Sequence, residues 1–443
     1  MTNTILIGIL FVLLSSLKVV AQENSQQIAD EFLKELQSEN FDKAYQNFDS
    51  TIVVQFSLKQ LKEVWTQIKG QYGDIVNIEE PQTSKMSTST LLVYPITFKN
   101  GALNAQIAVN LFGKISGFFL SMRPESIEYS YPSYNDSTKY EEIHIQFGDP
   151  NFPLGATLTI PKNAKSMPIA ILVHGSGPHD RDESIGPNKP FKDLAGGLAS
   201  QGIAVFRYEK RTLEYGSKLD INTLDLNIES IDDVIYALKY IANNGAKINI
   251  DTKKVFVIGH SLGASLLPRI NNKSNDFRGF VSLAGMTRTI DQVLIEQTQY
   301  LYNLDSTFDD TEKEGFEELK RQLINALSPN LSKDTPQDSL PFNLSGTYWL
   351  DFRSLNTKSE ASAISKPILV LQGEADYQVT MEDFEGWKEA LKNNSQATFI
   401  AYPSLNHLFM QSSTAKSVPQ DYYKPNHIDA KVILDISNWI KKN

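Results

Sequence analysis

A chain of 443 residues, 41% hydrophobic and 21% charged, is long enough for two or three folding units with substantial cores. Its 42 basic and 52 acidic side chains leave a formal net charge of −10, which excludes the basic footprint of a nucleic-acid binder or a protein held on an anionic membrane. It contains no cysteine, so disulfide frameworks, thiolate metal sites and a cysteine nucleophile are excluded too.

The first segment reads as targeting. Residues 5–14 are apolar or small, and Val19 and Ala21 stand at the −3 and −1 positions of a cleavage site. This predicts a signal peptide over 1–21 and an exported protein, periplasmic or extracellular. The run falls short of the ~20 residues a bilayer span needs, so no membrane span is expected after cleavage.

From Ser25 the apolar residues Ile28, Phe32, Leu33 and Leu36 share one helical face. A second short helix carries Phe41, Ala44, Tyr45 and Phe48. A third begins at Ser57, which forms a capping box with Gln60, and is expected to end at Gly70 and Gly73. Strands follow at 75–78, 91–98, 105–111 and 115–120, the last two as a hairpin around Phe112-Gly113-Lys114. Helices followed by a meander predict a small α+β accessory unit over 22–125. It resembles the domain of unknown function found in front of many secreted bacterial hydrolases, similar in outline to nuclear-transport-factor-like cones. It has no histidine and no acid–base constellation, so a packing or substrate-shaping role is expected.

Residues 126–140 are polar and turn-rich and read as a linker. Beyond it, over 141–443, strand and helix alternate. An entry hairpin is expected at 143–147 and 156–160. Short apolar strands follow at 168–173, 203–207, 255–258, 280–283, 368–371 and 399–402, with helices at 191–200, 228–242, 262–270 and 381–391. A βα succession of this kind predicts a mostly parallel, buried sheet. Residues 287–365 interrupt it with two amphipathic helices, about 290–304 and 311–327, and a polar loop. An insert of this size is either a cap over a site or a loose excursion. The expected roof is Ile290, Val293, Leu294, Thr298, Leu301 and Tyr302 from the first helix, with Phe316, Leu319, Leu323 and Leu327 from the second.

The sharpest chemical signal is Gly259-His260-Ser261-Leu262-Gly263, a G-x-S-x-G between an apolar strand and a helix. A strand-to-helix turn there lifts the Ser261 hydroxyl clear of the sheet, and the flanking glycines let strand and helix approach. In this architecture the acid and then the histidine follow the nucleophile in the chain. Strand 368–371 leads through Gly373 to Asp376, with Glu374 as rival. Strand 399–402 leads to His407. Three other histidines fit structural roles: His260 as a packed neighbour of the elbow, His427 at the start of the C-terminal helix, His144 on a surface strand. An oxyanion needs donors as well, and the turn Val173-His174-Gly175-Ser176-Gly177-Pro178 offers the backbone N–H of Ser176 to pair with that of Leu262. The acids Asp180, Asp182 and Glu183 after it fit an ion-pair network around Arg181 better than a metal site.

The strings HGSGPHDRDE, PNKPFKDLAGGLASQGIAVFRYEKRT, VIGHSLGA, PILVLQGEADYQV and YPSLNHLF resemble the secreted bacterial α/β-hydrolase family of EstD-type carboxylesterases. The likeness spans about 141–443. It implies an α/β-hydrolase fold, a small-molecule ester as substrate, no cofactor, and a triad whose roles fall on Ser261, Asp376 and His407. A serine peptidase of the aminopeptidase or prolyl-oligopeptidase type uses the same triad. Neither a propeller-sized N-terminal domain nor an acidic cluster for an α-amine is evident. A third alternative is a non-catalytic binding protein with a hydrolase fold, against which the intact triad argues.

Overall fold

In a computed structural model, described for residues 25–85, 89–122, 129–304 and 310–443, the chain divides into two compact units after Ile127. The expected signal segment lies outside the described residues.

The first unit opens with four helices: α1 (25–37), α2 (Phe41–Gln46), α3 (Ser50–Gln55) and α4 (Leu58–Tyr72). The Ser57–Gln60 capping box starts α4 as expected, but the helix runs through Gly70 and stops only at Gly73, whose φ of +78° suits glycine. α3 was not anticipated; Asp49 caps it by accepting from the N–H groups of Thr51 and Ile52. The antiparallel sheet comprises β1 (Ile75–Ile78), β2 (Gln82–Lys85), β3 (Ser89–Phe98), β4 (Gly101–Asn110) and β5 (Ile115–Met122), ordered β1-β3-β4-β5 with β2 also on β3. Along β3 and β4, buried and less buried residues alternate, so one face of the sheet carries the core. Phe32, Leu36, Phe48 and Trp65 from the helical part pack there with Leu92, Ile96, Ala105 and Ile107.

The second unit is built on eight strands: β6 (Tyr140–Asp149), β7 (Phe152–Pro161), β8 (Met167–Val173), β9 (Ala204–Tyr208), β10 (Ile250–His260), β11 (Phe277–Leu283), β12 (Ile368–Gly373) and β13 (Ala397–Tyr402). Their order is β13-β12-β11-β10-β8-β9-β7-β6. From β9 to β13 neighbours run parallel, while β6 and β7 form the antiparallel entry hairpin. The helices are α5 (Pro190–Ser200), α6 (Arg211–Glu214), α7 (Asp232–Asn244), α8 (Leu262–Ser265), α9 (Leu267–Lys273), α10 (Ile290–Tyr302), α11 (Asp310–Leu327), α12 (Gly346–Phe352), α13 (Thr357–Ala361), α14 (Met381–Ala390) and α15 (Ala430–Lys442). The parallel centre is buried on both faces, which is why 255–258 and 368–371 read as unbroken apolar runs. Parallel strands carried in this order leave their carboxyl ends on one edge, where the loops after β8, β10, β12 and β13 gather.

Two expectations change here. The described part of the segment read as a linker is pinned to the second unit: Tyr129 donates to Asp193 at 2.7 Å and Tyr134 to the carbonyl of Ile428 at 2.8 Å. The loop expected after the two cap helices carries α12 and α13, with Trp349 fully buried. Among the described residues no helix is long and apolar enough to cross a membrane.

Candidate active site

β10 ends at His260, and the chain turns sharply into α8 through Ser261, which holds φ +53° and ψ −116°. This left-handed φ on a non-glycine residue costs on the order of 1–3 kcal/mol and persists because its surroundings fix it. Main-chain bonds hold the turn: Ser261 N–H to Leu283 O at 2.9 Å, and Ser265 N–H to Ser261 O at 3.0 Å. The two glycines are sterically required. A Cβ on Gly259 would lie 2.4 Å from Gly263 O, and one on Gly263 2.3 Å from Val173 O.

The other two sequence-predicted side chains meet. Asp376, in the loop after β12, accepts from His407 Nδ1 at 2.6 Å through Oδ2. Its Oδ1 accepts the backbone N–H of Gln378 at 2.7 Å and of Val379 at 3.1 Å, and Gln372 Nε2 donates to Oδ2 at 3.2 Å. Both Asp376 and His407 are buried, whereas the rival Glu374 is exposed. The His407 loop is shaped by Asn406, whose Oδ1 takes the N–H groups of Leu408 and Met410. With Nδ1 donating to Asp376, the neutral ring presents Nε2 as its acceptor.

His260 is a packed neighbour of the elbow, as expected, and faces a buried acid. Its Nε2 donates to the carbonyl of His407 at 3.0 Å, tying the elbow to the histidine loop, and its Nδ1 faces Glu183 Oε2 at 3.0 Å. Burial alone would push the Glu183 carboxyl up, yet the facing His260 ring overcomes it and holds it at about 2. Burial likewise opposes charge on His260, and the Glu183 carboxylate overcomes that, raising the ring above its ordinary 6.5. Both shifts link stability to pH. The Glu183 contribution is present above its ordinary 4.5 and lost as pH falls towards 2. The His260 contribution is present below 6.5 and lost as pH rises through the raised value. The melting temperature of the parent should therefore exceed that of Glu183→Gln most between these two ordinary values, with the gap closing on both sides. A gap independent of pH would show that the pair is not ionised.

The other acids of this stretch brace the loop, but not around Arg181 as expected, since its guanidinium pairs with Glu209. Asp180 accepts from the N–H groups of Asp182 and Ser184, and Asp182 pairs with Arg207 at 2.9 Å. Among the described residues no group of three or more acids or histidines is arranged to hold a metal. His427 pairs with Asp193 at 3.1 Å, and the exposed His144 contacts Thr157 at 3.0 Å on the entry hairpin.

Ser261 opens into a cavity of about 520 Å³, which Ser176 and Leu262 also line. Among the described residues no protein acceptor takes the N–H of either. The roof differs from expectation. Ile290, Val293 and Leu294 of α10 line the cavity, but Leu301 and Tyr302 do not. The Tyr302 hydroxyl points at α11, where a Cβ on Gly315 would meet it at 3.1 Å. Among the described residues none of helix α11 lines the cavity; its Leu323 enters the core while Leu327 stays exposed. Its place is taken by Phe342, Leu344, Tyr348 and Phe352, in and before α12. The sequence reading also missed Gln372 on the acid, and Glu229, a buried carboxylate in the cavity wall.

A parallel-centred sheet with a serine elbow after its central strand and an insert before β12 defines an α/β-hydrolase. Within that class the chain belongs to the family of esterase EstD. The Thermotoga maritima protein of that name is 34% identical over 411 residues, covering 93% of this chain and 94% of its own. The family model described as BD-FAE matches 157–391, and that of the dienelactone hydrolase family matches 352–442. The model for a protein of unknown function, DUF3887, matches 29–118. Solved structures of similar outline include the Pyrococcus furiosus esterase Pf2001, at a TM-score of 0.44 and 14% identity over 72% of this chain and 97% of that one. Another is Est1E from Butyrivibrio proteoclasticus, at 0.42 and 14% over 68% and 99%.

Proposed function

We propose that this protein is an exported serine esterase that hydrolyses small carboxylic esters through an acyl-enzyme on Ser261. The observation that carries this reading is the Asp376–His407 bond of 2.6 Å, formed between two loops on the strand edge that also bears the serine elbow. His407 Nε2 takes the proton as Ser261 Oγ attacks the ester carbonyl carbon, and Asp376 holds the ring and stabilises the imidazolium. The N–H groups of Ser176 and Leu262 receive the oxyanion. Losing one such donor typically costs about 2.7–4 kcal/mol of transition-state stabilisation. Collapse expels the alcohol, which takes the proton from His407. Water then attacks the acyl-enzyme, with His407 again as base, and the carboxylic acid leaves.

The chemistry of the cavity favours an ester over a peptide with a free α-amine. Its wall is mostly aliphatic and aromatic, and the one acid among its described residues, Glu229, is neutralised by Lys210 at 2.6 Å. A panel of p-nitrophenyl acyl esters against aminoacyl anilides tests this: esters should turn over and anilides should not, with the reverse order assigning a peptidase. Labelling by a fluorophosphonate should be lost in Ser261→Ala. N-terminal sequencing of the exported protein should begin near Gln22; a start at Met1 would remove the signal reading.

The roof sets an expectation for chain length. Leu294→Ala enlarges the cavity, and each methylene newly accommodated is worth about 0.8 kcal/mol, roughly a fourfold gain. The kcat/KM optimum across acetyl to octanoyl esters should move to longer chains in Leu294→Ala and stay in place in Tyr302→Ala. An unchanged profile in a folded Leu294→Ala would put the acyl chain elsewhere.

A further inference from the structure

The turn that carries Ser176 is soft by composition: Gly175 precedes it and Gly177, at φ +92°, follows. Glycine on both sides makes rotation of the peptide planes inexpensive. Gly175 also packs closely on the nucleophile, where a Cβ would stand 3.2 Å from Ser261 Cβ. Some other feature must therefore hold the plane that aims the Ser176 N–H.

Buried charges grip the turn from two sides. Glu183 Oε1 accepts the N–H of Gly175 at 2.7 Å, and Lys210 Nζ donates to the carbonyl of Gly175 at 2.7 Å. That carbonyl and the N–H of Ser176 belong to one planar trans peptide, so they point in opposite directions. Fixing the oxygen on Lys210 fixes the N–H away from it. The ammonium also polarises the amide it binds, which strengthens the N–H as a donor.

Lys210 is itself held. It donates to Glu229 Oε1 at 2.6 Å, and Tyr348 of the cap helix α12 donates to Glu229 Oε2 at 2.6 Å. Lys210, Glu229 and Tyr348 are 1%, 4% and 5% exposed, so water does not compete for these bonds. Glu229 sits in the π-helical turn Asn227–Ile231 ahead of α7, a local widening of the kind often found at functional sites.

We propose that Lys210 is a positioning residue for the oxyanion, setting the Gly175–Ser176 peptide. Glu229 and the Tyr348 hydroxyl extend this control to the cap. The proposal rests on the Ser176 N–H acting as an oxyanion donor. The roof of the cavity and the alignment of the donor are thereby coupled, because α12 both lines the cavity and ends the chain of bonds.

The test uses the full-length protein with two ligands besides an ester substrate. A trifluoromethyl ketone forms an adduct with Ser261 that carries an oxyanion; the matching secondary alcohol fills the same cavity without one. Lys210→Met alone leaves a buried, unpaired carboxylate and risks unfolding, so it is paired with Glu229→Gln. In Lys210→Met/Glu229→Gln, kcat should fall at least about tenfold, within the ~10²–10³-fold of losing a donor outright. KM should change little, and ketone affinity should fall with kcat while alcohol affinity holds. A folded double variant with near-parental kcat, or with ketone and alcohol weakened equally, overturns the proposal. Tyr348→Phe reads the same chain without removing a charge. Its kcat and ketone affinity should fall together by about two- to tenfold, the weight of one hydrogen bond, and a fall in neither also overturns it. A parent protein inert to the ketone and to fluorophosphonate would instead overturn the serine-esterase reading itself.

Discussion

Ser261→Ala should leave a folded protein whose ester turnover is lower by about 10⁶ in kcat, the scale on which removal of a serine nucleophile is felt. The fold should survive because the elbow is made by backbone, not by the hydroxyl. The bonds from Ser261 N–H to Leu283 O and from Ser265 N–H to Ser261 O remain available to alanine. The left-handed φ of +53° strains alanine about as it strains serine, since both carry a Cβ. Activity on p-nitrophenyl acetate and a thermal melt of the same sample decide the matter. An unshifted melt with more than about a hundredth of parental activity would mean that another group is the nucleophile, because the remaining oxyanion donors alone supply far less.

The residues in this argument were legible because each lies in a short contiguous pattern. Strand, glycine, serine, glycine and helix are consecutive from 255 to 270, so local sterics alone predict the turn. Asp376 and His407 were found by counting strands, since a parallel sheet puts each following loop on the same edge. The elbow helix is less regular than its pattern: it breaks into α8 and α9 around Leu266, ahead of Pro268.

Longer-range relations were not legible. Lys210, Glu229 and Tyr348 lie 19 and 119 residues apart in successive steps, and the bond to Tyr348 exists only once the cap is folded over the sheet. The same is true of Glu183 and His260, which read as a loop charge and a packed ring until burial forces them together. The cap misled for a different reason. Pro336, Pro341, Asn343 and Ser345 break the helical periodicity that an amphipathic reading depends on. Phe342 and Leu344 thus looked like loop residues although they line the cavity. Helix α11, with the clearer amphipathic pattern, packs elsewhere.

The second large effect is expected at the acid. Asp376→Asn should lower kcat by about 10⁴, and Glu374→Gln should leave it near the parental value. Asparagine keeps an oxygen for the N–H groups of Gln378 and Val379, so the loop should hold its shape. What it cannot keep is the second acceptor, because its amide nitrogen then takes the place of Oδ2 and faces both Gln372 and His407. An amide N–H turned towards His407 Nδ1 needs a lone pair there, which moves the ring proton to Nε2 and removes the base that Ser261 requires. Glu374 is exposed and has no such hold on the ring. The discriminating measurement is kcat for both variants on one ester, with fluorophosphonate labelling rates alongside. Labelling of Ser261 needs the same base, so it should slow in Asp376→Asn and not in Glu374→Gln. A reversed ranking would transfer the orienting role to Glu374. Equal and small losses in both would mean that His407 keeps its tautomer without a carboxylate.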